Sequence, residues 1–203
     1  MVVRCRRLLL LPAVVLAAGC GGGGGGTASP VTAPALRGLV PQPLPRKPRL
    51  SLTDAAGRAF SLAAATAGKL TYVYFGYTHC PDACPLTMSD IATALHEQPP
   101  AIRKRIAVVF VTVDPARDTP SVLRDWLAHF DRGFIGLTGS PRQIVAAEEA
   151  TGVPVAPGRH LQHSTLVFAY GADNLAHVVY SEGFRAADYA HDMPLLLAAR
   201  SGG

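Results

Sequence analysis

Two runs of β-branched and aromatic residues constrain this chain most. Leu70 to Phe75 reads LTYVYF, and Ile106 to Val113 reads IAVVFVTV. Neither run alternates apolar with polar residues, so neither can keep one face in water. Each needs cover on both faces, which is the condition of a strand inside a largely parallel sheet. Parallel neighbours need a crossover between them, usually a helix. Met88, Ile91, Ala92 and Leu95 supply its apolar stripe at helical spacing. The pattern predicts an α/β protein, a central sheet with helices on both faces.

The flanking segments extend this pattern. Leu50-Ser51-Leu52 and Phe60-Ser61-Leu62, around Asp54-Ala55-Ala56-Gly57, predict a short hairpin. Thr119 caps a helix with Pro120 at its first position; Val122, Leu123, Trp126, Leu127 and Phe130 form its buried face, and Gly133 ends it. Phe134 to Leu137 reads as a short strand. Ser140-Pro141-Arg142-Gln143 is a capping box opening a helix that stops near Gly152. Thr165 to Tyr170 and Ala176 to Tyr180 are strands around the turn Gly171–Asn174. A last helix reaches Ala199, and Pro194 within it predicts a late start or a kink.

The first residues, MVVRCRRLLLLPAVVLAAGC, have a different character. Arg4, Arg6 and Arg7 precede an apolar run from Leu8 to Ala18, too short to span a bilayer and suited to an export signal over residues 1–19. Leu16-Ala17-Ala18-Gly19-Cys20 resembles a bacterial lipoprotein cleavage site, with Ala17 where the usual Leu stands and Leu16 one place further out. Cys20 is then the lipidated first residue of the mature chain. A glycine run and a proline-rich stretch follow, so residues 20–49 read as a tether and 50–200 as the folded domain. The expected place is the outer face of the cytoplasmic membrane, held by lipid. Lys and Arg number 19 against 14 Asp and Glu; without the three signal arginines, 16 basic residues remain. That balance excludes a strongly basic nucleic-acid binder.

Of the 4 cysteines, Cys5 leaves with the signal and Cys20 carries the lipid. Cys80 and Cys84 remain. A pair this close encloses too short a loop to stabilise a fold by much, which points to chemistry. Pro85 places Cys84 at or just before a helix start, where free amides and the helix dipole stabilise thiolate. Two sulfurs on one side can form a disulfide or chelate a soft metal ion. Two thiolates underfill a zinc site, whereas Cu(I) accepts two or three ligands. His163, just before the strand at Thr165, is the best third ligand, and His160 is its rival. His79, His96, His129, His177 and His191 read as solvated or hydrogen-bonded side chains. Asp114, Pro115 and Asp118 read as a turn leading into the helix capped by Thr119. Asp82 gets no role, and Arg103-Lys104-Arg105 reads as a solvated cluster.

Three blocks carry a resemblance. Tyr77-Thr78-His79-Cys80-Pro81-Asp82-Ala83-Cys84-Pro85 resembles the CxxxC signature of the SCO/SenC family. Thr112-Val113-Asp114-Pro115-Ala116-Arg117-Asp118-Thr119-Pro120 resembles its second block, and His163-Ser164-Thr165 its histidine segment. They stand in the family's order across the globular region. The resemblance implies a thioredoxin-like fold and copper, Cu(I) or Cu(II), bound by Cys80, Cys84 and His163. It implies a role in assembling the binuclear copper centre of cytochrome c oxidase, with that subunit as acceptor and an upstream copper donor. Many members have a transmembrane anchor, where this chain looks lipidated. A copper metallochaperone is therefore the leading expectation. The enzymatic alternative is a thiol–disulfide oxidoreductase that uses Cys80 and Cys84 on the acceptor's cysteines. A thiol peroxidase is a third, weaker one.

Overall fold

The computed structural model describes residues 35–153 and 164–198. In chain order the elements are β1 (Ser51–Asp54), β2 (Ala59–Ser61), α1 (Leu62–Ala65), β3 (Leu70–Gly76), α2 (Ala83–His96), α3 (Pro100–Arg103), β4 (Ile106–Thr112), α4 (Pro120–Leu127), β5 (Ile135–Thr138), α5 (Pro141–Thr151), β6 (Val167–Tyr170), β7 (Ala176–Tyr180) and α6 (Ala186–Ala198). Among the described residues the strands form one sheet in the order β2-β1-β5-β4-β3-β6-β7. β3 and β4 pair in parallel from Leu70↔Ile106 to Gly76↔Thr112, and β4 continues in parallel with β5. The other pairs are antiparallel, so the sheet is mixed.

The two runs that demanded cover have it. Every residue of β3 and β4 is buried. Because side chains alternate along a strand, Tyr72, Tyr74, Val108 and Phe110 pack on one face with α2, α4 and α6. Val73, Phe75, Val109 and Val111 pack on the other with Leu62 of α1 and Ile144 and Ala147 of α5. Among the described residues no helix is long and apolar enough to cross a membrane.

Both predicted caps form. Thr119 accepts from the Val122 amide, and Ser140 and Gln143 make a reciprocal capping box. α5 ends at Gly152 in the left-handed region, φ 77°. Four boundaries differ from the sequence expectation. α4 stops at Leu127, not at Gly133, because the His129 and Phe130 amides donate to carbonyls three residues back, at Trp126 and Leu127, which tightens the chain into a turn. Leu123 and Leu127 are its fully buried residues, while Val122, Trp126 and Phe130 are half-buried. β6 begins at Val167, two residues late, after the Leu166 amide is taken by Ser164 Oγ at 3.2 Å. α6 runs on through Pro194. A proline there leaves the carbonyl of Ala190 without its helical donor. Gln98 Nε2, just past the end of α2, supplies one at 3.0 Å.

The fourth difference lies in the stretch expected as tether over 20–49. From Leu36 onward it forms a strap on the outer edge of β7. Leu39 pairs with Val179 and Arg46 with Leu175. The buried Asp192 carboxylate accepts from the Arg37 amide at 2.9 Å, the Gly38 amide at 2.9 Å and the Tyr180 hydroxyl at 3.0 Å. Gly38 must be glycine, since a Cβ there would collide with Val178 Cγ1. Lys47 is buried and donates to Thr66 Oγ1 at 3.1 Å and Thr71 Oγ1 at 3.2 Å.

Candidate metal centre

The cysteines lie where β3 ends and α2 begins. The turn opens with the Cys80 amide donating to the Tyr77 carbonyl at 3.2 Å. Asp82 is the N-cap by backbone position but makes no side-chain cap bond. Cys84 is therefore the second helical residue, just inside the expected boundary. Its amide donates to Cys80 Sγ at 3.4 Å, one of the free donors of the helix start. Cys80 is half-buried and Cys84 is fully buried.

The Cys84 thiol lies against the backbone of β3. A Cβ on Gly76 would stand 2.7 Å from its sulfur and 2.9 Å from Phe110 Cε2. Only glycine lets the two approach this closely. The Tyr74 hydroxyl donates to Cys84 Sγ at 3.5 Å. Burial pushes the Cys84 thiol up to about 12, against the smaller opposing pull of Tyr74 and the Tyr77 backbone. The sequence expectation was the reverse, a lowered pKa at a helix start. Desolvation outweighs the helix amides here because Cys84 is shut away from water.

A buried carboxylate fastens the turn. Asp118 accepts from the Thr78 amide at 2.9 Å, from Thr78 Oγ1 at 2.6 Å and from Thr112 Oγ1 at 2.6 Å. It ties the CxxxC turn to the end of β4. The structural reading of Asp118 holds, and it extends to the site. Nothing in the sequence signalled the bond of Tyr74 to sulfur, since a tyrosine in a buried strand reads as core.

His163, His160 and Cys20 lie outside the described residues. Among the described residues no group of three His, Cys, Asp or Glu side chains could hold a metal ion. His96 pairs with Asp131 at 2.6 Å, His177 with Asp173 at 2.8 Å and His191 with Asp192 at 2.8 Å. His129 Nδ1 lies 3.1 Å from the Trp126 carbonyl, and His79 Nδ1 lies 3.0 Å from Thr78 Oγ1. These five are hydrogen-bonded side chains, as their sequence context indicated.

Fold and site together define a thioredoxin-like protein with a cysteine pair where its first long helix follows the interior strand β3. The chain belongs to the SCO1/SenC family, whose model matches residues 42–197. It is 38% identical over 117 residues to a SCO2-like protein of Rickettsia felis, covering 52% of this chain and 55% of that one. The chain spans about half the length of the curated relatives it matches. The copper-bound structure of Bradyrhizobium japonicum ScoI superposes with a TM-score of 0.64 at 28% identity, covering 75% of this chain and 99% of that one. Apo Sco1 from Thermus thermophilus superposes with a TM-score of 0.68 at 28% identity, covering 80% and 97%.

Proposed function

We propose that this chain is a copper metallochaperone. Cys80 and Cys84 supply two thiolates and His163 an imidazole, a soft and borderline donor set that suits Cu(I) and tolerates Cu(II). The observation that carries the reading is the pair of cysteines at one helix start, one half-buried and one enclosed, in a family with a copper-bound member at 28% identity. Copper is cargo. It arrives from an upstream donor protein and leaves by ligand exchange to the copper-centre subunit of cytochrome c oxidase. Exchange starts at Cys80, because an incoming ligand reaches the half-buried sulfur first. In this reading residues 1–19 are the export signal, and lipidated Cys20 holds the domain at the outer face of the cytoplasmic membrane.

The test is an anaerobic Cu(I) titration of the reduced protein against a competing chelator. Tight one-to-one binding is expected, lost in Cys80→Ala and Cys84→Ala and weakened in His163→Ala. Unchanged affinity in His163→Ala would remove that residue from the site.

The same asymmetry favours a second reading, a thiol–disulfide oxidoreductase. A half-buried thiol can attack an acceptor's disulfide and an enclosed neighbour can resolve the mixed disulfide. Cys80 would then form a mixed disulfide with the acceptor that Cys84→Ala traps. Absence of trapped species with a disulfide-bonded acceptor would sink this reading.

A further inference from the structure

The two sulfurs do not receive the same hydrogen bond. Cys80 Sγ takes the Cys84 amide, and being half-buried it is also open to water. Cys84 Sγ is shut away from solvent, and the donor that reaches it from β3 is the Tyr74 hydroxyl at 3.5 Å. The tyrosine is held to this task. It is 1% exposed, and its ring packs edge-on against Phe110 at a centroid distance of 5.9 Å.

The geometry points to Tyr74 as a positioning residue that tunes the copper centre, favouring Cu(I) over Cu(II) by drawing charge from the Cys84 sulfur. This rests on the copper-carrying reading above. Sulfur gives up more charge to Cu(II) than to Cu(I), so it is the more anionic partner in the Cu(I) state. A hydrogen bond to an anionic acceptor is the stronger one, and such bonds to cysteine sulfur set the potentials of copper sites. Tyr74 acts through the sulfur and not on the metal. The couple transfers one electron: bound Cu(II) takes it from a mediator and becomes Cu(I), while both thiolates keep their oxidation state.

The experiment is mediated spectroelectrochemistry of the copper-loaded protein, wild type against Tyr74→Phe, which keeps the ring and deletes the hydroxyl. The ratio of Cu(I) to Cu(II) binding constants is expected to fall about fivefold, which is roughly 40 mV at about 59 mV per tenfold for one electron. The sulfur-to-copper charge-transfer band of the Cu(II) form moves to longer wavelength. Tyr72→Phe, which deletes another buried hydroxyl from the same face of β3, shifts neither. A Tyr74→Phe protein that binds copper with the wild-type potential and band overturns the inference and leaves the copper reading standing. An equal shift in Tyr72→Phe also overturns it. Failure of the wild type to take up copper overturns both.

Discussion

Gly76→Ala places one methyl group between two side chains that have nowhere to go. The new Cβ stands 2.7 Å from Cys84 Sγ and 2.9 Å from Phe110 Cε2, and both neighbours are 0% exposed. Contacts of this kind are most favourable near about 3.5–4.0 Å, so each neighbour has to retreat by roughly 1 Å. Phe110 is backed by the Trp126 ring at a centroid distance of 5.0 Å and by Tyr74 at 5.9 Å. Overpacking a filled core in this way costs about 1–3 kcal/mol. At about 2–4 °C per kcal/mol for a domain of this size, thermal unfolding of the apo protein is expected roughly 2–12 °C lower. The displaced sulfur has a second consequence. Disturbing what orients a metal ligand typically lowers affinity about 10–100-fold, and competitive Cu(I) titration reads that loss. Adding Phe110→Leu makes room for the methyl group and recovers part of the stability, while copper affinity stays low because the sulfur is still pushed aside. A Gly76→Ala protein that melts with the wild type and holds copper as tightly would refute the reasoning.

Asp118→Ala leaves the Thr78 amide and two threonine hydroxyls without their acceptor and is expected to cost about 2–4 kcal/mol in a urea titration. The freed turn also opens to proteolysis near Cys80. Gln98→Leu strands the Ala190 carbonyl at a cost of about 1–3 kcal/mol. Pro194→Ala in the same background restores the helical donor, so the two substitutions are strongly non-additive in denaturant midpoint. Burial raises the folded-state pKa of Cys84 from 9.0 to about 12. Above the unfolded pKa the unfolded chain releases a proton that the native thiol keeps, so stability is full below about pH 9 and falls as pH climbs toward the folded value. Urea midpoints of the apo protein should therefore decline between those limits, more shallowly in Cys84→Ala.

What was legible in the sequence came from features that resolve locally. The runs at Leu70 and Ile106 required cover on both faces whatever lay around them. Thr119 and Ser140 cap with bonds to residues three places on. The cysteine spacing identified the candidate site. What was not legible depends on partners far along the chain. The strap from Leu36 looked like tether because it lacks periodicity, and its order comes from β7 and from Asp192, 155 residues beyond Arg37. Pro194 looked like a break because its compensation, Gln98, lies 92 residues from the carbonyl it serves. The Cys84 pKa ran opposite to expectation because helix position can be read from sequence, whereas depth of burial cannot.

The strap also decides where this protein can safely be cut. A truncation at Leu50, where the sequence alone places the domain start, removes the Leu39 pair with Val179, the Pro45 carbonyl that accepts from Ala176 and the Lys47 amide that donates to Asn174. The outer rim of β7 would then present bare amides and carbonyls to other molecules. Exposed rims of this kind recruit strands from neighbouring chains. The strap thus covers the edge of β7 against pairing with other chains.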